Sequence, residues 1–273
     1  MHQALTLGAL ACHRLTLPGG DSVLVADWGA HVLSWTVQGA EQLYLSPSAQ
    51  LTAKAAIRGG VPVCWPQFAD RGPGAKHGWA RQRLWAADAP HHSGDTLAQT
   101  WHLQHSADAS APAHSLALTV SLSPGVLHIE LQVTSLATEP WAATGALHTY
   151  LRLADVQHAR LSGWGTDAPG WDSVATLPNH PPADGRVVGE IDRIDPCAGA
   201  LTLSDGPRRL RISQGGWADT VVWNPGPAKC AALPDMPAGD ERHMVCVEAA
   251  QALQPVTLAP GARWAGWQRL QLL

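Results

Sequence analysis

Ser115–Thr134, SLALTVSLSPGVLHIELQVT, decides the fold class. Leu116, Leu118, Val120 and Leu122 alternate with small or polar residues. After Ser123-Pro124-Gly125, Leu127, Ile129, Leu131 and Val133 alternate with His128, Glu130, Gln132 and Thr134. A period of two on both sides of a short turn describes two antiparallel strands with one buried face, because successive side chains of a strand point to opposite sides. Working outward, Gly and Pro recur about every ten residues with short apolar runs between them. Such runs lie at 22–26, 31–37, 96–103, 143–153, 208–213, 219–223, 244–248 and 263–271. Helical periodicity is nearly missing; the best candidate is the short segment 49–56, ahead of Arg58-Gly59-Gly60. The expectation is an all-β, mostly antiparallel sandwich with few short helices. Two turn-rich stretches, 165–185 and 234–242, read as surface loops, the first pinned by Trp171, and neither divides the 273 residues. A single domain over 1–273 is expected.

Composition narrows the function classes. Apolar residues make up 45 %, enough for a large core, and charged residues only 15 %. The net charge of −4 comes without a basic tail or stripe, so neither nucleic acid nor an anionic membrane is an expected partner. No run is long enough to span a bilayer, and the amino terminus lacks the basic start of a signal peptide. The five cysteines are widely spaced, odd in number and form no C-x-x-C, which argues against disulfides and a zinc site. A cytoplasmic location follows as an expectation. Aromatic use is lopsided, with thirteen Trp, two Tyr and one Phe. Most of the Trp should fill the core, leaving a few for a sugar platform.

The densest chemistry lies in 58–85, RGGVPVCWPQFADRGPGAKHGWARQRLW. Arg58, Lys76, His77, Arg81 and Arg83 concentrate positive charge within one stretch of an acidic chain. This is either a solvated basic loop or a phosphate-recognising pocket, for which the planar fork of Arg is suited. His148, in ATGALHTYLRL, shares a strand face with Ala146 and Tyr150. A lone strand histidine is more commonly a hydrogen-bonded structural residue. Glu248, in MVCVEA, shares a face with Met244 and Cys246, opposite Val245 and Val247. A carboxylate so flanked sits either at a wet strand end or against a partner. Asp192, in GEIDRI, reads alone as a salt-bridge residue beside Arg193. The fourteen histidines show no H-E-x-x-H or comparable spacing: His102 and His105 point to opposite strand faces, and His91 and His92 fall in a turn-like stretch. No metal and no cofactor is expected. Dinucleotide and P-loop glycine motifs and the G-x-S-x-G elbow are missing.

Taken together, RGGVPVCWPQF and KHGWARQRLW, followed in order by GALHTY, EIDRI, TVVWNP and MVCVEA, resemble the hexose-6-phosphate mutarotases, also called glucose-6-phosphate 1-epimerases. The resemblance runs from about residue 25 to the C-terminus. It implies a galactose mutarotase-like β-sandwich and an isomerase that interconverts the anomers of a small phosphorylated sugar; a monomer is expected. It places the family's catalytic pair at His148 and Glu248, and its substrate-binding residues at Arg58, His77, Arg81 and Asp192. Lys76 stands where the family has Gln; it can donate to substrate but cannot accept a hydrogen bond. Ring opening needs one group that takes a proton from the anomeric hydroxyl and one that gives a proton to the ring oxygen. Glu248 is expected as the base and His148 as the acid, held as imidazolium by the neighbouring carboxylate. Two other readings share these residues: an aldose 1-epimerase of free hexoses, and a non-catalytic carbohydrate-binding sandwich.

Overall fold

A computed structural model describes residues 1–197 and 199–273. The hairpin forms as its alternation dictates. His114–Ser123 pairs antiparallel with Val126–Ser135, setting Leu116 opposite Val133, Leu118 opposite Leu131, Val120 opposite Ile129 and Leu122 opposite Leu127. All eight are buried; each such side chain stabilises by roughly 1.5–3 kcal/mol relative to exposure. Gly125 closes the turn with φ of 65°, a conformation that costs glycine little.

This hairpin is the middle of a nine-stranded sheet. Thr96–His105 flanks it on one side; on the other lie Arg263–Leu272, Arg208–Gly215, Leu201–Asp205 and Arg160–Ser162 in that order. The second large sheet has eight strands. Its central run is Ile191–Pro196, Asp219–Asn224, Met244–Leu258, Trp141–Leu147 and Val63–Cys64, with Tyr150–Arg152 also paired to Met244–Leu258. A five-stranded amino-terminal sheet spans His2–Leu7 to Ala40–Glu41. Every ladder among the described residues is antiparallel within these named strands. The main core joins the large sheets: Leu118, Ile129 and Leu131 of one pack in the same cluster as Leu147, Val222, Val245 and Val247 of the other. Trp35, Trp65, Trp85 and Trp101 are fully buried, the expected use of Trp as core filler. No helix among the described residues is long and apolar enough to cross a membrane.

Several expectations need correction. Residues 49–56 are not helical, and the α-helix among the described residues is Gly226–Ala232. Other segments take the backbone groups of 49–56: the Leu51 carbonyl accepts from Ala9 N–H at 3.0 Å, and the Ala55 carbonyl from Trp28 Nε1 at 3.0 Å. His91 and His92 lie in a short strand, His91–Ser93, rather than a turn. The run 143–153 is two strands broken at His148 and Thr149. The stretch 165–185 contains the strands Gly170–Asp172 and Leu177–Asn179, which extend the eight-stranded sheet through Trp171 opposite Ile194. The loop 234–242 is tied down, with Met236 and Glu241 buried and Asp240 accepting from Tyr44 Oη at 2.8 Å.

Candidate active site

Because Val245 and Val247 enter the core, Cys246 and Glu248 project from the opposite, outer face of the eight-stranded sheet. Register then brings the distant histidine to the carboxylate. Leu147 pairs with Ala249 and Tyr150 with Cys246, so the same register sets His148 across from Glu248 at the break between the two short strands. Two rows cross the outer face: Ile194, Val221, Glu248 and His148, then Asp192, Trp223, Cys246 and Tyr150. His148 Nδ1 lies 3.4 Å from Glu248 Oε1. His148 also stacks on Tyr150 at 4.8 Å and 12° and meets Trp223 edge-on at 6.2 Å.

The segment 58–85 folds over this face. Gly60 has φ of 62°, and a Cβ there would lie 2.1 Å from the Val32 carbonyl oxygen, so only glycine admits this approach. Gly78, with φ of 67°, would likewise collide with the Trp65 carbonyl at 2.2 Å. His77 itself has φ of 63°, an uncommon conformation for a side-chain-bearing residue. Its Nδ1 accepts from the Ala69 N–H at 3.3 Å, which leaves Nε2 as the donor nitrogen of the neutral ring. Its edge-on contact with His148 is 5.4 Å between centroids.

The result is a cavity of about 560 Å³ lined by Arg58, Lys76, His77, Arg81, His148, Asp192 and Glu248, which bring every site residue expected from sequence to one place. Five cationic side chains (Arg58, Arg71, Lys76, Arg81, Lys229) and four acidic ones (Asp70, Asp192, Asp235, Glu248) line it. Arg83 is not among them; it lies over the Trp79 ring instead. Arg58 donates Nε to Asp235 Oδ1 at 3.2 Å and Nη1 to Tyr150 Oη at 3.0 Å. Arg81 donates Nη2 to the Lys76 carbonyl at 3.0 Å. Lys76 is exposed, 3.4 Å from Asp70, and Lys229 is 2.9 Å from Glu190. Sequence reading missed Tyr150, Trp223, Lys229 and Asp235. Tyr150 was placed on the histidine's face but given no role; Trp223 reaches the cavity through sheet register, Lys229 from the helix Gly226–Ala232 and Asp235 from the loop after it, none of which local pattern encodes.

Glu248 is 1 % exposed and His148 7 %, so both reach solvent only through the cavity. Burial pushes Glu248 well above the ordinary carboxylate range, with the Asp192 charge adding to it and Arg81 opposing. Burial pushes His148 well below its usual value, and His77, Arg81 and Arg58 push the same way. Burial first, then His77, Arg81 and Arg58, work against the expectation that the carboxylate would keep His148 as imidazolium. His77 falls to about 3, through burial first and then Arg81, Lys76 and Arg58. Asp192 is raised by burial, with Lys229 opposing. Burial thus biases the pair towards a neutral imidazole beside a protonated carboxyl. Among the described residues His148 Nδ1 and Glu248 Oε2 have no hydrogen-bond partner. Two facing groups that can each take or give a proton, under a polar cavity, suit proton exchange with a bound hydroxyl compound. His148, Cys246 and Glu248 also place three potential ligand atoms within 4.8 Å of one another.

The aldose 1-epimerase family model matches residues 12–271. A relative from Cenchrus ciliaris, named "Putative glucose-6-phosphate 1-epimerase", is 30 % identical over 256 residues, covering 88 % of this chain and 78 % of the relative. A crystal structure described as a "putative mutarotase" from Salmonella typhimurium superposes with a TM-score of 0.88 at 27 % identity, covering 99 % of this chain and 93 % of the other. A galactose mutarotase-like protein from Clostridium acetobutylicum gives 0.77 at 15 % identity, over 100 % and 98 %, a likeness of fold alone.

Proposed function

The chain belongs to the aldose 1-epimerase family and is an isomerase, and from that premise we propose that it interconverts the α and β anomers of a hexose 6-phosphate, with glucose 6-phosphate as the substrate. The observation that carries this is the juxtaposition of His148 and Glu248 at 3.4 Å in a cavity that also holds Arg58 and Arg81. Glu248 takes the proton of the C1 hydroxyl and His148 gives a proton to the ring oxygen. The C1–ring oxygen bond breaks, the open-chain aldehyde rotates, and closure on the other face reverses both transfers. Asp192 and the His77 Nε2–H hold hydroxyls, and Trp223 offers an aromatic wall. Arg58 and Arg81 hold the phosphate. No group is oxidised, reduced or transferred, so the chemistry needs no redox carrier.

Anomer exchange of glucose 6-phosphate followed by NMR tests the assignment. Each proton-transfer group contributes typically ~10²–10⁴ in rate. His148→Ala and Glu248→Gln should each fold and lose about that factor in kcat. Wild-type exchange in either variant would overturn the pair. One observation favours a free hexose instead: Asp235 already compensates Arg58. Comparing kcat/KM for glucose 6-phosphate and glucose decides between the two substrates.

A further inference from the structure

We propose that the anionic group of the substrate is an activator as well as a handle: docked on Arg58, it drives a proton from Glu248 to His148 and so creates the carboxylate and imidazolium that the reaction uses. This rests on the phosphorylated-sugar reading above.

The need for such a step comes from the cavity. A general base must be ionised and its partner acid protonated, yet burial biases the pair the other way, the carboxyl towards protonation and the ring towards neutrality. Both forms contain the same protons. Conversion moves one proton from Glu248 Oε1 to His148 Nδ1 across 3.4 Å, with no change in total charge and no external acid or base. Only the field at the two ends decides which form is lower.

Arg58 sits at the histidine's end. Its Nη1 donates to Tyr150 Oη at 3.0 Å, and the Tyr150 ring stacks on His148 at 4.8 Å. Its charge opposes the imidazolium, whereas the charges acting on Glu248 are those of Asp192 and Arg81. Arg81 acts on both ends, so its effect on a proton moving between them largely cancels. The other charged or titratable neighbours of His148 are His77, which stays neutral, and the Cys246 thiol, raised well above its usual value by burial and then Glu248. Neither can stabilise an imidazolium. A dianion on Arg58 opposes its charge at the histidine, whereas Arg58 is not among the charges acting on Glu248. Asp235, with one negative charge on the far Nε edge of Arg58, supplies this only in part. Among the described residues no hydrogen bond engages Arg58 Nη2, which leaves it for the incoming anion.

The phosphate and the sugar can then be separated experimentally. The substrate is free glucose, and the probe is sulfate, a dianion too weakly basic to catalyse mutarotation itself, with chloride at equal ionic strength as the control. A shift of one pKa unit is a tenfold change in the proton's distribution, so sulfate should raise kcat for free glucose about tenfold. The same sulfate should compete with glucose 6-phosphate. Arg58→Gln should abolish the activation. In ¹⁵N-histidine spectra of the whole protein, sulfate should move the His148 ring nitrogens towards imidazolium. If sulfate competes with glucose 6-phosphate but leaves both the glucose kcat and the His148 signal unchanged, activation is wrong and the phosphate site stands. If sulfate does not compete at all, the phosphate reading fails and takes this proposal with it.

Discussion

A guanidinium has five N–H donors in one plane, and at Arg58 the Nε edge is given to Asp235 and one Nη1 hydrogen to Tyr150. Arg58 lines the cavity, and its Nη end, with Nη2 unengaged among the described residues, can still meet two oxygens of one phosphate. Charge-assisted hydrogen bonds contribute about 1.5–3 kcal/mol, so Arg58→Ala should lower kcat/KM for glucose 6-phosphate roughly 10- to 150-fold. Free glucose, which lacks the anion, should change far less; equal losses on both sugars would remove the arginine clamp. The sequence could suggest this residue because Arg58 precedes Gly59-Gly60 in a cation-rich stretch. It could not suggest Asp235, 177 positions away, which decides which edge of Arg58 is free. The catalytic pair was legible by halves: alternation placed Met244, Cys246 and Glu248 together, and Ala146, His148 and Tyr150 together. The missing half was the register of 147 on 249, which depends on two strands a hundred residues apart.

Among the elements, strands with one wet face announced themselves, and the runs at 22–26 and 31–37 match Ser22–Ala26 and His31–Val37 end for end. The eight residues 49–56 misled because Ala, Leu, Lys and Gln favour helix intrinsically, while an isolated segment this short gains too little from its own hydrogen bonds. Contacts with Ala9 and Trp28 decide its path instead. The stretch 165–185 looked like loop because its strands are only three residues long and the outer one, Leu177–Asn179, lies at the sheet edge. A buried ion pair does much of the fixing there. Arg193, 4 % exposed, donates Nη2 to Asp195 Oδ1 and to the Asn179 carbonyl, both at 2.8 Å, and Asp195 also accepts from Trp164 Nε1 at 2.9 Å. Removing one member leaves a buried charge without its partner, at a cost of about 3–5 kcal/mol. Arg193→Ala should lose stability of that order in urea denaturation and expose 165–185 to proteolysis. A change under about 1 kcal/mol would show that the excursion is held by its strand pairing alone.

On the scale of the whole molecule, sheet order is the least legible feature, since Arg263–Leu272 lies between Val126–Ser135 and Arg208–Gly215, a choice made by the packed sandwich and not by neighbouring sequence. That packing also encloses histidines in neutral form, with a consequence for acid stability. Burial holds His31 at about 4, His77 at about 3 and His114 at about 4. His114 shows why: Nδ1 is within 2.7 Å of the Pro112 carbonyl and Nε2 accepts from Trp65 Nε1 at 3.2 Å, so a second ring proton would face an N–H. A group depressed in the folded state gives stability that is complete above its unfolded value near 6.5 and is lost as pH falls towards its folded value. Glu248, raised in the folded state, runs the other way: its contribution is present below about 4.5 and is lost as pH rises. His148 offsets it, because the two exchange one proton. Asp192 and Asp219, raised more modestly and mainly by burial, oppose part of the remainder. Three histidines at about 1.4 kcal/mol per unit therefore outweigh them. Unfolding free energy from urea titrations should fall continuously from pH 6.5 to 4, with more than one and up to about three protons taken up on unfolding near pH 5. His114→Gln should reduce that uptake by about one proton whatever its effect on absolute stability. A flat profile, or stability that rises towards pH 4, would mean that the buried carboxyls, not the imidazoles, govern how this sandwich responds to acid.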